Sequence, residues 1–190
     1  MLPTRDDALA LVHEYTQSDS LRKHMLAVEA AMRAYARRFD ADEARWGITG
    51  LVHDFDYERW PNPERSPTAE HPAEGVRILR ERGYPDDVLE AILGHAHYTN
   101  VPRTSPMAKT LFAVDELTGL VTATALVRPS RSLAEVDAAA VRKKMKDKGF
   151  ARGVSRDDVL RGADELGVDL EEHIQFVIDA MRGESAALGL

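Results

Sequence analysis

Residues 50–58 read Gly-Leu-Val-His-Asp-Phe-Asp-Tyr-Glu, and they join a predicted helix to a proline-rich segment. Successive side chains on a helix diverge by about 100°, so His53 and Asp54 can approach one ion only where a helix is ending. The segment 55–68 supplies such an ending, because it contains Pro61, Pro63 and Pro67 and cannot continue a helix. A His-Asp pair alone is a weak signal, and its weight depends on the residues that accompany it.

Apolar residues at helical spacing surround this junction on both sides. No strand, internal repeat or low-complexity segment is evident, and residues 120–127 are the only β-branched run. The sequence therefore predicts an all-α bundle, as one domain over residues 1–190 with a core at about 18–125 and a C-terminal helical extension at about 126–190. The predicted helices span about 4–17, 18 onward, 41–53, 70–82, 86–96, 106 onward, 132–147, 155–165 and 169–182.

Two ionisable residues lie on apolar helix faces. His24 follows Leu21 by three positions and precedes Val28 by four, which places it on the apolar stripe of the second helix. Asp115 follows Leu111 by four positions on another apolar face. An aspartate is rarely buried without a partner, because an uncompensated charge in a low-dielectric interior is costly. A divalent cation would compensate it.

Two further histidines are placed to join them. His71 is expected to open its helix, and His95 follows Ile92 by three positions at the inner edge of another. Their alternative roles are to cap helix carbonyls or to face solvent. Five helices would then each direct one or two ligands inward, as helical proteins do when they build metal centres. The candidate metal ligands are His24, His53, Asp54, His71, His95 and Asp115.

The order of these six residues resembles the HD superfamily of metal-dependent phosphohydrolases, over roughly residues 20–120. Many members continue the His-Asp pair with Ile-Gly, whereas here the continuation Phe55-Asp56-Tyr57-Glu58 resembles an HDIG-like branch of predicted hydrolases. The resemblance implies that His24, His53, Asp54 and Asp115 hold one metal, and that His71 and His95 complete a second site. The contexts that carry it are Leu21-Arg-Lys-His24, Gly50-Leu-Val-His-Asp54, Glu70-His71-Pro72 with Gly75, and Phe112-Ala-Val-Asp115.

The same resemblance implies hydrolysis of a phosphoester or phosphoanhydride bond in a small phosphorylated metabolite or nucleotide. A metal-bound hydroxide would attack, with His53 and Asp54 as the catalytic pair. Nitrogen and oxygen ligands suit one or two divalent ions among Mn²⁺, Fe²⁺, Co²⁺, Ni²⁺, Zn²⁺ and Mg²⁺. Two alternatives stay open: a di-iron oxygenase of the myo-inositol-oxygenase type, which uses the same ligand pattern, and a non-catalytic nucleotide-binding module.

Departure of the alcohol or phosphate requires that its negative charge be neutralised, and several side chains are candidates for this contact with the substrate. His97 is equally interpreted as a surface histidine, and the lysine-rich run 142–148 as a solvated helix face or an electrostatic funnel. Asp56 and Glu58 would either hydrogen-bond the ligand imidazoles or be solvated. His13 and His173 are assigned no function. The candidate substrate contacts are His97, Arg103, Lys109, Arg128, Lys143 and Lys144.

Bulk properties limit the partners. A formal charge of -7 disfavours a nucleic acid duplex, and the lack of cysteine removes disulfides and thiolate metal sites. The N-terminal stretch Met-Leu-Pro-Thr-Arg-Asp-Asp is acidic where a signal peptide would need positive charge, and no apolar run approaches about 18 residues. We therefore expect a cytoplasmic protein with a small phosphorylated ligand and no membrane partner. The sequence indicates no particular oligomeric state.

Overall fold

The computed structural model describes residues 3–190, which form α-helices and short 3₁₀ turns and contain no strand. The all-α class predicted from the periodicity is confirmed. Met1 and Leu2, which begin the stretch weighed as a signal peptide, lie outside the described residues. The helices are α1 (Arg5–Tyr15), α2 (Asp19–Arg38), α3 (Glu43–Val52), α4 (Ala73–Glu81), α5 (Asp86–His95), α6 (Pro106–Leu126), α7 (Ala138–Met145), α8 (Arg156–Leu166), α9 (Leu170–Arg182) and α10 (Ser185–Leu188).

Polar caps determine where most of these helices begin. A side-chain oxygen at the N-cap accepts a hydrogen bond from the first turn of the helix, which satisfies one of its free backbone donors. At α1 the cap is a full capping box, because Thr4 and Asp7 bond each other's backbone N–H groups. The other side-chain caps are Ser18, Asp42, Ser105, Asp137, Ser155 and Asp169.

The two longest helices, α2 and α6, form the centre of the bundle. Helix α2 packs against α3 and α6, and α5 also packs against α6. Helix α6 is buried around much of its circumference, as expected for a helix surrounded by others. Within the described residues, no helix combines the length and apolarity that a membrane span requires.

Three elements differ from the sequence-based expectation. The helix expected at 132–147 starts only at Ala138, because Val136 is extended and Asp137 caps the new helix after a 3₁₀ turn at Leu133–Glu135. The helix expected at 70–82 starts at Ala73, so His71 precedes its helix instead of opening it. The β-branched run 120–127 is helical as far as Leu126, because packing in the bundle overrides its local strand preference.

The C-terminal helices pack on the central helix, since α8 and α9 both contact α6. Helix α8 approaches most closely at Gly162, where an added Cβ would lie 2.6 Å from the Cα of Ala113. Gly119, within α6, is different: the nearest atom to an added Cβ is the Cγ2 of Val154 at 3.6 Å, an ordinary contact.

These two glycines should respond oppositely to alanine. Gly162→Ala should lower the free energy of unfolding by about 1–3 kcal/mol, because the helices must separate to admit the methyl group. Gly119→Ala should raise it by about 0.5–1 kcal/mol, because alanine is the better helix former and space is available. Urea unfolding of both variants and the wild type measures the difference. Equal effects of one sign would contradict the described packing of α8 on α6.

A buried hydrogen-bond chain joins three helices. The hydroxyl of Tyr35 on α2 donates to Nδ1 of His173 on α9 at 2.6 Å, and Nε2 of His173 donates to the carbonyl of Ala113 on α6 at 3.0 Å. The ring is therefore neutral, with its proton on Nε2. Burial lowers the pKa of His173 to about 4 and raises the pKa of Tyr35 to about 12. His173 is thus a structural residue of the core.

The neutral His173 predicts acid sensitivity. Its unfolded-state pKa is about 6.5, so between pH 6.5 and 4 the unfolded chain binds a proton that the folded protein does not, and stability falls as pH falls. The loss from this group should total on the order of 3 kcal/mol across that window. Denaturant unfolding at several pH values should show a shallower loss in His173→Gln. The variant His13→Gln, at an exposed histidine of α1, should keep the wild-type dependence.

Candidate metal centre

The structure brings the six expected ligands together at the end of α3. The ligand atoms of His24, His53, Asp54 and Asp115 all lie within 4.8 Å of one another. A second group, within the same limit, consists of Asp54, His71 and His95. Because Asp54 belongs to both, the two groups form one centre with a shared carboxylate.

The two oxygens of Asp54 face different histidines. Its Oδ2 lies 3.7 Å from Nε2 of His24 and 3.4 Å from Nε2 of His53. Its Oδ1 lies 3.4 Å from Nε2 of both His71 and His95. A carboxylate placed in this way can bridge two cations, one on each side.

Asp115 completes the first group from α6. Its Oδ1 lies 3.0 Å from Nε2 of His24 and 3.4 Å from Nε2 of His53. Nitrogen and oxygen ligands about 2.1 Å from one ion, at angles of about 90–109°, are themselves about 3.0–3.4 Å apart. The spacing of Asp115, His24 and His53 therefore matches that of atoms around a shared divalent cation.

The opposite nitrogen of three imidazoles is already bonded. Nδ1 of His53 donates to the carbonyl of Gly50 at 2.8 Å, and Nδ1 of His95 donates to the carbonyl of Ile92. These bonds fix the tautomer that leaves the Nε2 lone pair directed at the centre, as in metal-ligating histidines. Nε2 of His53 is buried without a hydrogen-bond partner among the described residues. The donor set therefore fits a metal ion.

Asp56 orients the third of these imidazoles. Its Oδ1 accepts from Nδ1 of His71 at 2.7 Å, and its Oδ2 accepts from the backbone N–H of Gly75 at 2.8 Å. A Cβ on Gly75 would lie 2.6 Å from the carboxylate carbon, so only glycine admits this contact. Of the two roles considered for Asp56, the structure shows the hydrogen bond to a ligand imidazole.

The loop after the His-Asp pair is held against the start of α2. The hydroxyl of Thr16 donates to the carbonyl of Phe55 at 3.0 Å. The Oε2 atom of Glu58 accepts from the backbone N–H groups of Gln17 and Ser18, each at 2.9 Å. Glu58 thus connects the loop to the helix that carries His24 and does not contact the ligand imidazoles.

Charge at the centre is mutually stabilised. Burial lowers the pKa of His53, but the carboxylates of Asp54 and Asp115 outweigh burial and raise that pKa well above its ordinary value. Burial raises the pKa of Asp54, yet the charge of His53 outweighs it and holds the pKa well below its ordinary value. The pKa of Asp115 is also lowered, against burial, by its bond with His24. The carboxylates are therefore ionised, and the neighbouring imidazoles carry the compensating charge; a bound divalent cation would take the place of the imidazole protons.

The centre opens into a cavity of about 610 Å³, within the range of small-molecule sites. His97, half-exposed, lines this cavity, and its Nδ1 lies 3.9 Å from Oδ2 of Asp158. Glu116 also lines it, accepts from the N–H of Ser155 at 3.0 Å, and has a pKa that burial and the charge of Asp115 raise to about 7. One wall of the cavity thus comes from the C-terminal extension.

The other expected substrate contacts do not line this cavity, although all five lie within the described residues. Arg103 bonds both oxygens of Glu165 at 2.6 and 2.7 Å, donates to the carbonyl of Gly94 at 2.8 Å, and stacks on Phe112. Its guanidinium therefore ties the bundle together. Nζ of Lys144 lies 4.6 Å from the ring centroid of Phe150. Outside the cavity lie Arg103, Lys109, Arg128, Lys143 and Lys144.

Two arginines that sequence reasoning did not single out do line the cavity. Arg65 lies in the loop after α3 with a left-handed φ of 52°, and Arg161 lies on α8. Neither position carries a recognisable motif, because the loop path and the docking of α8 bring them to the site. Tyr57 and Tyr98 line the same cavity, and burial raises the pKa of Tyr98 to about 12.

Comparison with known proteins agrees with this geometry. The sequence profile of the HD domain matches residues 21–120, a segment that contains all six clustered ligands and more than half of the chain. The chain therefore belongs to the HD domain family, which includes metal-dependent phosphohydrolases. No curated protein matched the chain.

Metal stoichiometry tests the shared carboxylate. After dialysis against Mn²⁺, the wild type should retain up to two ions per chain and the variant His95→Ala should retain one. The variant Asp54→Ala should retain substantially less than one ion per chain, because Asp54 belongs to both ligand groups. Elemental analysis gives the count. Saturating metal at about 100 times its Kd should stabilise the wild type by about 2.7 kcal/mol. The variant His97→Gln, outside both groups, should match the wild type, and equal retention by Asp54→Ala would contradict the assignment.

Proposed function

We propose that the protein is a metal-dependent hydrolase that cleaves a phosphoester or phosphoanhydride bond in a small phosphorylated molecule such as a nucleotide. The observation that carries the proposal is the pair of ligand groups sharing Asp54 beside an open cavity. A divalent cation in such a site lowers the pKa of water toward about 7 and neutralises charge on a phosphoryl oxygen.

The residues of the centre have distinct proposed roles. The imidazoles of His24, His53, His71 and His95 bind through Nε2. The bonds from Nδ1 to backbone carbonyls or to Asp56 fix the ring orientation of three of them. Asp54 connects the two groups through its two oxygens and would help to hold the metal and to orient the attacking water. Asp115 supplies the second negative charge that favours divalent over monovalent cations.

The cavity wall provides groups for the rest of the substrate. Arg65 and Arg161 are the proposed phosphate-binding cations, because a guanidinium can pair with two phosphate oxygens. The side chain of Arg161 is half-exposed and its nearest carboxylate oxygen, on Asp158, is 3.9 Å away, so most of its donors are free. His97 is the one substrate contact expected from sequence that also lines the cavity.

Size and charge support a small ligand. A cavity of about 610 Å³ accommodates a metabolite or nucleotide, and the net charge of -7 opposes a long nucleic acid duplex. We further propose that the core at about 18–125 and the extension at about 126–190 act as one domain, since α8 contributes Arg161 to the cavity. A cytoplasmic location stays a prediction.

A phosphate-release assay tests the proposal. With Mn²⁺ or Co²⁺, the wild type should hydrolyse members of a panel of nucleotides and sugar phosphates, and Asp54→Ala should lose on the order of 10³-fold in kcat. Arg161→Met should raise KM by roughly 3–10-fold, because one half-exposed phosphate contact is lost. Lys143→Met, outside the cavity, is the matched control and should leave both constants unchanged.

Two outcomes would contradict the hydrolase. Undiminished turnover by the folded Asp54→Ala variant would show that the reaction does not require the shared carboxylate. Consumption of O₂ by the iron-loaded protein with an unphosphorylated polyol, without phosphate release from any panel member, would favour the di-iron oxygenase.

A further inference from the structure

A second cavity adjoins the metal cavity. It has a volume of about 370 Å³ and a mainly apolar lining, and it shares His24 and Gly119 with the metal cavity. Its walls come from the start of α2, the second half of α6 and the C-terminal segment. The lining side chains include Lys23, Thr122, Leu126 and Leu188.

One face of α6 connects the two cavities. Asp115, Gly119, Thr122 and Leu126 are spaced by four, three and four residues, so they lie along a single face of the helix. Asp115 belongs to the first ligand group, and Leu126 lines the second cavity. At about 1.5 Å per residue, this face extends about 16 Å from the metal centre.

Gly119 lies midway along this face, and packing does not account for it. Glycine is unfavourable inside a helix, so a reason for its presence is expected. At Gly50 and Gly162 the reason is close packing, because an added Cβ would meet atoms at 3.0 and 2.6 Å. At Gly119 the nearest atom is 3.6 Å away. Because Gly119 lines both cavities, a large side chain at this position would stand between them.

The outer end of the face is apolar and exposed. Leu126 is 49% exposed, and the adjacent Val127 is 54% exposed. At the rim of the second cavity, Nζ of Lys23 lies 2.9 Å from Oδ2 of Asp19, so these two charges pair with each other. The buried side chain of Leu188 adds to the apolar part of the lining.

We propose that this second cavity binds a linear apolar chain of the substrate, so that the protein acts on phosphate esters of aliphatic alcohols. The phosphoryl group would lie at the metal centre and the chain would pass over Gly119 toward Leu126. This inference rests on the proposed hydrolase function. The alkyl chain of the substrate would increase affinity because its apolar surface is removed from water, and the apolar lining would supply no directional contact.

A homologous series of esters measures how much the second cavity contributes to substrate affinity. With the Mn²⁺-loaded wild type and n-alkyl phosphates from ethyl to decyl, KM should fall by up to about fourfold for each added methylene that enters the cavity, until the chain fills it. Calorimetric titration of ethyl and decyl phosphate into the metal-free protein gives the same comparison without turnover.

Three variants locate the effect. Gly119→Leu should flatten the dependence of KM on chain length by blocking the passage, and its melting temperature should show that it folds. Leu126→Gln should weaken the dependence for the longest chains only. Leu160→Gln is the matched control, because Leu160 is 48% exposed and lines neither cavity. It should keep the full wild-type dependence.

The outcomes separate this inference from the proposed function. Phosphate release from every ester with no dependence on chain length would overturn the subsite and leave the hydrolase intact. Tighter calorimetric binding of decyl than ethyl phosphate without phosphate release would support the subsite and overturn the hydrolase. Equal loss of the dependence in Leu160→Gln, or tighter binding of nucleoside monophosphates than of octyl phosphate, would also overturn the aliphatic assignment.

Discussion

Both groups of candidate metal ligands are arranged around the carboxylate of Asp54. Its two oxygens face four imidazole nitrogens from α2, from the ends of α3 and α5, and from the turn before α4. Removing this charge from water is costly, so the surrounding groups must compensate it together. The positions of four chain segments are therefore linked through one side chain, and a cation bound there would couple its binding to folding.

Helix ends make this arrangement possible. His53 follows the last residue of α3 and His95 is the last residue of α5, and each donates from Nδ1 to a carbonyl three residues earlier. Carbonyls in the last turn of a helix have no intrahelical partner, so each helix end provides the acceptor that fixes its own histidine. The same local geometry ends the helix, selects the tautomer and directs Nε2 inward.

Much of this centre could be predicted from sequence. Periodicity placed His24 and Asp115 on buried faces, and the prolines after Asp54 marked the helix end. The cations of the cavity could not be predicted, because a loop with a left-handed residue and the docking of a distant helix bring Arg65 and Arg161 to the site. The expected contact Arg103 instead pairs with Glu165, a partner 62 positions away that no local pattern reveals.

The C-terminal extension adds one wall to the cavity, whereas the clustered candidate ligands come from an earlier part of the chain. The six clustered candidate ligands lie within residues 21–120, whereas Ser155, Asp158 and Arg161 line the cavity beside them. The joint between them is the close approach of α8 to α6 at Gly162. Changes confined to the later segment would therefore reshape the cavity wall and leave the six clustered side chains in place.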